Sequence, residues 1–185
     1  MTLYRCFPWD DGVAPAARGG AVWFPRLLQG AGRHDNSDLY GCLYVTEAPV
    51  SAVVERLQGL RGSRLEPHDL RRRGLPLGLA TLRLGEEAEL VDLDEPLVLH
   101  AEELSPSLVA THERVRTQAD AATLFERHAD TVGLRWWSTF ESQWANVTLF
   151  DRARAALAVQ DVHALELGDD VVQEAARFLG LAAAA

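Results

Sequence analysis

The chain has 185 residues, 48% of them hydrophobic and 24% charged, which suits one ordinary globular domain with a single sizeable core and excludes a disordered one. Its 18 basic residues, all arginine, stand against 27 acidic ones for a formal net charge of −9. That balance excludes a nucleic-acid backbone as the main partner, since such binding needs a basic surface that displaces counterions.

From the N-terminus, Leu3–Phe7 and Ala21–Phe24 read as short strands around a Gly/Pro/Ala loop, Asp11–Gly20. The polar, glycine-bearing segment Gln29–Gly41 leads into a compact strand, Cys42–Thr46. Pro49 then stands where a first helical turn accepts it, and Val50, Val53, Val54 and Leu57 recur at helical spacing. From Gly59 to Leu77 there is no clear period, and the basic run Arg71-Arg72-Arg73 reads as a solvated loop or helix end. Leu79–Leu84 and Glu89–Leu93 flank Gly85-Glu86-Glu87 as a hairpin would. Thr117 is placed to cap a helix running to about Asp130, with Ala121, Leu124, Phe125 and His128 on one stripe and Gly133 as its stop. Strands follow at Leu134–Trp137, Asn146–Phe150 and Ala158–Leu167, and a helix from Asp169 to Leu179 precedes an alanine tail. The expectation is one mixed α/β domain over residues 1–185, without repeats or linkers.

Several familiar sites fail on spacing. Gly30 and Gly32 open a G-x-G, but Asp35 occupies the position of the third glycine in a dinucleotide fingerprint, and no Rossmann βαβ unit surrounds it. The absence of lysine removes Schiff-base and P-loop chemistry. The six histidines are scattered without the H-x₃₋₅-H or cysteine pairs of a zinc site, so no metal is expected. Ser105, Ser138 and Ser142 lack a nucleophile-elbow context. Cys6 and Cys42 read as reduced, buried thiols. No apolar run reaches the ~20 residues of a membrane helix, and the N-terminus lacks the pattern of a signal peptide. A cytoplasmic protein without membrane contact is the expectation.

What remains is an ordered set of short motifs: Gly32-Arg33-His34-Asp35-Asn36, Gly41-Cys42-Leu43-Tyr44-Val45-Thr46, Ala48-Pro49-Val50 with Ala52-Val53-Val54-Glu55, and Gly133-Leu134-Arg135-Trp136-Trp137-Ser138 followed by Asn146-Val147-Thr148-Leu149-Phe150. Together these resemble the RES domain family, whose members carry a G-R-aromatic-N…G…LY-L stretch, an alanine-rich helix with a glutamate, and a late serine–asparagine block. The resemblance runs from Tyr4-Arg5 to Phe150, with residues 151–185 completing the domain as a strand and C-terminal helix. His34 stands where the family usually has an aromatic residue, and Trp137 where proline often precedes the serine.

The resemblance implies a fold similar to the ADP-ribosyltransferases, a split sheet with flanking helices. It also implies an NAD⁺-consuming toxin paired with a helix-turn-helix antitoxin. NAD would be a substrate, with inorganic phosphate as an optional co-substrate. On that footing Arg33, Tyr44, Glu55 and Ser138 are the catalytic candidates, and Arg5, Arg33, Tyr44, Ser138 and Asn146 the NAD-binding ones.

The residue types suit the chemistry. Breaking the nicotinamide–ribose bond builds positive charge on the sugar while a neutral group departs. Arg33 offers a permanent charge to pyrophosphate, with Arg5 a weaker candidate for the same task. Tyr44 offers an aromatic face to nicotinamide, Glu55 a carboxylate to the ribose, and Ser138 a hydroxyl to ribose or phosphate. Periodicity sets Glu55 about 100° round from Val54, off the apolar stripe, so it asks for a cleft beside the helix. Hydrolysis, phosphorolysis, ADP-ribosylation of a protein, and a non-catalytic NAD-binding module all remain open at this stage. So does a homo-oligomer, for which Trp136–Trp144 is the candidate exposed surface.

Overall fold

The computed structural model describes residues 1–182, so most of the expected alanine tail lies outside the described residues. Two compact units emerge. One comprises Met1–Trp23, Thr46–Arg83 and the chain from Ala158 onward; the other comprises Phe24–Val45 and Leu84–Leu157. The class is mixed α/β, as expected.

The first unit is built on β1 (Thr2–Pro8), which runs antiparallel to β4 (Leu75–Leu84) in the register Thr2↔Arg83 to Pro8↔Leu77. A two-residue strand, β3 (Arg71–Arg72), and β8 (Leu157–Ala164) also pair with β4. Helix α1 (Pro49–Leu57) starts on Pro49 and buries Val50, Val53, Val54 and Leu57. It packs on β1 and on α5 (Asp170–Leu179), whose Val172, Ala175, Ala176 and Leu179 form the matching stripe. Gly180 ends α5 in the left-handed region at φ 67°, a C-terminal conformation glycine adopts without a Cβ penalty.

The second unit carries the strand order β2 (Cys42–Thr46), β7 (Ala145–Phe150), β6 (Gly133–Trp137), β5 (Leu90–Asp92). The β6–β7 pair is antiparallel and β5–β6 parallel. Short helices α2 (Pro96–Ala101) and α3 (Pro106–Ala110), each opened by proline, and the longer α4 (Arg114–Arg127) complete it. Its core gathers Tyr40, Cys42, Val91, Leu93, Leu99, Ala121, Leu124, Leu134, Trp136 and Phe150. All six residues of β7 are buried, which is why that strand shows no alternation.

Strand β2 and the start of α1 match the sequence expectation, and β6, β7 and α5 come within one residue at each end. Three expectations do not hold. Ala21–Phe24 is a turn, held by Val22 N–H to the Pro15 carbonyl, although three of its four residues are buried. The hairpin about Gly85 does not form: β4 pairs with β1, β3 and β8, and β5 runs parallel to β6. Thr117 lies one turn inside α4, and Gly133 opens β6 instead of ending that helix. The arginine run is exposed, as expected, and forms a hairpin tip in which Arg71 and Arg72 pair with Pro76 and Leu75 across a turn with positive φ at Arg73 and Gly74. Both cysteines are free and buried. Among the described residues no helix is long and apolar enough to cross a membrane.

Leu134, on β6, is fully buried. Leu134→Ala is expected to cost about 2–5 kcal/mol in urea denaturation. Leu97→Ala, at a residue 77% exposed, is expected to stay within about 0.5 kcal/mol.

Candidate functional site

The segment Gln29–Gly41 contains no regular element, yet its polar groups are closely paired. Asp35 organises it. Its Oδ2 accepts the backbone N–H of Gly30 (2.9 Å) and of Gly32 (2.6 Å), and its Oδ1 accepts the Tyr44 hydroxyl (2.7 Å). The Tyr44 oxygen in turn accepts the N–H of His34 at 2.9 Å. Position 32 must be glycine, because a Cβ there would lie 2.5 Å from the Tyr44 oxygen and 2.6 Å from Asp35 Oδ1. Helix α4 holds the loop from outside: Gln118 Nε2 donates to the carbonyls of Gly30 and Gly32, and Thr117 Oγ1 to that of Arg33. Asn36 Nδ2 donates to the Gln118 carbonyl and to Tyr40 Oη, which itself donates to the His34 carbonyl.

This scaffold sets Arg33 inward. The residue is 6% exposed; its Nη1 donates to the carbonyls of Val109 (2.9 Å) and Thr111 (2.6 Å), and its Cζ lies 4.8 Å from the centroid of the Trp136 ring. The His34 ring meets Trp136 edge to face at 5.4 Å. Its Nδ1 pairs with Thr148 Oγ1 at 2.8 Å, and Trp136 Nε1 donates to the same oxygen. Burial, then the charges of Arg33 and Arg114, push the His34 imidazole down to about 3, so the ring is neutral at ordinary pH. A small cavity, with room for about one water, is lined by His34, Thr117, Asp120 and leucines of this unit.

Tyr44 is half-buried, and burial followed by the negative charges around it drives its hydroxyl well above the usual tyrosine range. Its oxygen both donates and accepts, and its ring packs against the core of this unit. Ser138 follows β6 and is buried; its N–H donates to the Trp144 carbonyl, and its Oγ accepts the N–H of Phe140, a local cap. Asn146 is buried on β7 opposite Trp136. Trp136 is itself buried and Trp137 and Trp144 half-buried, so Trp136–Trp144 is not the exposed surface the sequence suggested.

The structure therefore brings Arg33 and Tyr44 into one hydrogen-bonded assembly, with Trp136, two residues before Ser138, stacked beneath Arg33. Arg5 and Glu55 belong to the other unit. Arg5 is half-buried, with Nη1 on the carbonyls of Gly20 and Ala21 and its Cζ over the Phe7 ring. Burial, and then the charge of Arg56, lower it to about 10. Glu55 is half-buried on α1, intermediate between the exposed position that periodicity gives and a core one. Sequence reasoning missed Asp35, which registered only as a failed third glycine, and the contributions of Thr117, Gln118 and Thr148. The one available signal was the crowding of Asp35 and Asn36 behind two glycines, a pattern typical of side chains that bond nearby backbone.

Comparison with known proteins follows the same lines. The RES domain family model matches residues 2–170. A chain of the M. tuberculosis MbcT–MbcA toxin–antitoxin complex shares the fold, with TM-score 0.59 and 15% identity over 97% of this chain and 87% of that one. Among curated proteins none matches the sequence significantly.

Because the folded state holds His34 near 3 while an unfolded histidine titrates near 6.5, the unfolded chain takes up a proton first as pH falls. The stability that neutral His34 contributes is thus complete above pH 6.5 and is lost from there down towards pH 3. Between pH 7 and pH 5 the wild type is expected to lose about 2 kcal/mol more than His34→Asn, as read from paired denaturation curves.

Proposed function

Given that the chain belongs to the RES domain family, we propose that it is an NAD⁺-degrading enzyme that cleaves the nicotinamide–ribose bond and serves as the toxin of a toxin–antitoxin pair. The observation that carries the reading is the family match over residues 2–170 together with the Gly32–Asn36 loop, which bonds through Asp35 and His34 to the Tyr44 hydroxyl and holds Arg33 over the Trp136 ring.

In this reading Arg33 contributes a fixed positive charge to the pyrophosphate, on a guanidinium already oriented by the Val109 and Thr111 carbonyls. Arg5 and Asn146 assist in binding. Tyr44 gives the nicotinamide an aromatic face. Ser138 accepts the Phe140 N–H and turns its own hydroxyl proton to a ribose or phosphate oxygen. The Glu55 carboxylate stabilises the positive charge that grows on the ribose as the C–N bond breaks and the electron pair leaves with nicotinamide. Water or inorganic phosphate then adds to the same carbon, giving ADP-ribose or its 1″-phosphate; no metal takes part. The partner is an antitoxin with a helix-turn-helix domain, and the work is done in the cytoplasm.

A time course of NAD⁺ with separated products, run with and without phosphate, tests the reaction. Nicotinamide and one of the two ADP-ribose products are expected, and Glu55→Gln and Arg33→Ala are each expected to slow their formation by about a hundredfold or more. Because Arg33 is buried, its variant is compared only after circular dichroism confirms the fold. Undiminished NAD⁺ under both conditions would contradict the reading. Label transferred from NAD⁺ to protein would make the enzyme a protein ADP-ribosyltransferase instead.

A further inference from the structure

Asp35 is a carboxylate 6% exposed that receives three hydrogen bonds, all from neutral donors: the N–H groups of Gly30 and Gly32 and the hydroxyl of Tyr44. Among the described residues it forms no ion pair. Buried charges are ordinarily matched by an opposite charge, because hydrogen bonds alone only partly replace the water they lose. Here one of the three neutral donors is the hydroxyl of an aromatic ring, Tyr44. A tyrosine that donates to a carboxylate carries an electron-richer ring, and the Tyr44 ring packs against the core of this unit while staying only half-buried. An electron-rich aromatic face attracts cations.

We propose that Asp35 is a specificity-determining residue that, acting through the ring of Tyr44, makes the site select the oxidised, cationic nicotinamide of the dinucleotide over its neutral reduced form. The inference rests on the NAD⁺ reading above and goes beyond it by assigning the charge preference to one side chain. NAD⁺ carries its positive charge on the pyridinium, and that ring is neutral both in NADH and in free nicotinamide. The attraction therefore holds substrate and fades as the C–N bond breaks and the charge moves to the ribose. Such an interaction lowers KM and does not raise kcat. It also lets the neutral leaving group depart.

Calorimetry with the non-cleavable pyridinium analogue carba-NAD⁺ and with NADH tests the inference directly. The wild type is expected to prefer carba-NAD⁺ by about three- to thirtyfold, the range of a partly desolvated cation–π contact. Asp35→Asn keeps the shape and the acceptor for Tyr44 but removes the charge, and is expected to bring the ratio close to one. In turnover it should raise KM for NAD⁺. Tyr44→Phe, which keeps the ring and breaks its bond to Asp35, covers the case in which Asp35→Asn does not fold; it too should shrink the ratio. An unchanged ratio in a folded variant that binds both ligands overturns the inference and leaves the NAD⁺ reading standing. Failure of the wild type to bind either dinucleotide overturns both.

Discussion

The carboxylate of Asp35 is the constraint on which the second unit's functional surface depends. One oxygen gathers the N–H groups of Gly30 and Gly32, the other takes the Tyr44 hydroxyl, and Tyr44 returns a bond to the His34 N–H. A loop without helix or strand thereby acquires a fixed shape, since its backbone donors are satisfied by one side chain and the strand beside it. The closeness that makes this possible leaves no room at position 32 for anything but glycine. Remove the carboxylate, and the orientation of residues 33 and 34 loses its reference.

Arg33 and His34 then become buried polar groups that the fold can carry. Arg33 lies over Trp136 and donates to the last turn of α3 and to Thr111 just beyond it, while His34 stays neutral between Trp136 and Thr148. Each would be costly alone in an apolar interior. Held together they form a positive group stacked on an aromatic ring and oriented by two backbone carbonyls. The substitution of His34 for the usual aromatic residue fits the same surroundings, because an uncharged imidazole packs edge to face as an aromatic ring does.

Much of this was legible in the sequence where local rules act. The Pro49 start of α1, the stripe Val50/Val53/Val54/Leu57 and strand β2 follow from proline geometry and periodicity, and the structure returns them. What periodicity could not supply was long-range pairing. Leu79–Leu84 and Glu89–Leu93 are strands or nearly so, but their partners come from β1 and β6, which no local pattern around Gly85 encodes. Thr117 looked like a helix cap because threonine favours that place, whereas its hydroxyl serves the Arg33 carbonyl from within α4. Of the candidate site, Arg33 and Tyr44 stand out through motif order, whereas Asp35 left only its crowding with Asn36 behind two glycines, because a carboxylate that bonds backbone across three to five residues leaves no periodic trace.

Amide hydrogen exchange of the ligand-free protein measures the central claim most directly. If Asp35 and Tyr44 hold the loop, the N–H groups of Gly32 and His34 exchange at least about a hundredfold more slowly than in an unstructured peptide, and Asp35→Asn releases Gly32 first. Exchange of both amides at unstructured rates in the wild type would contradict it.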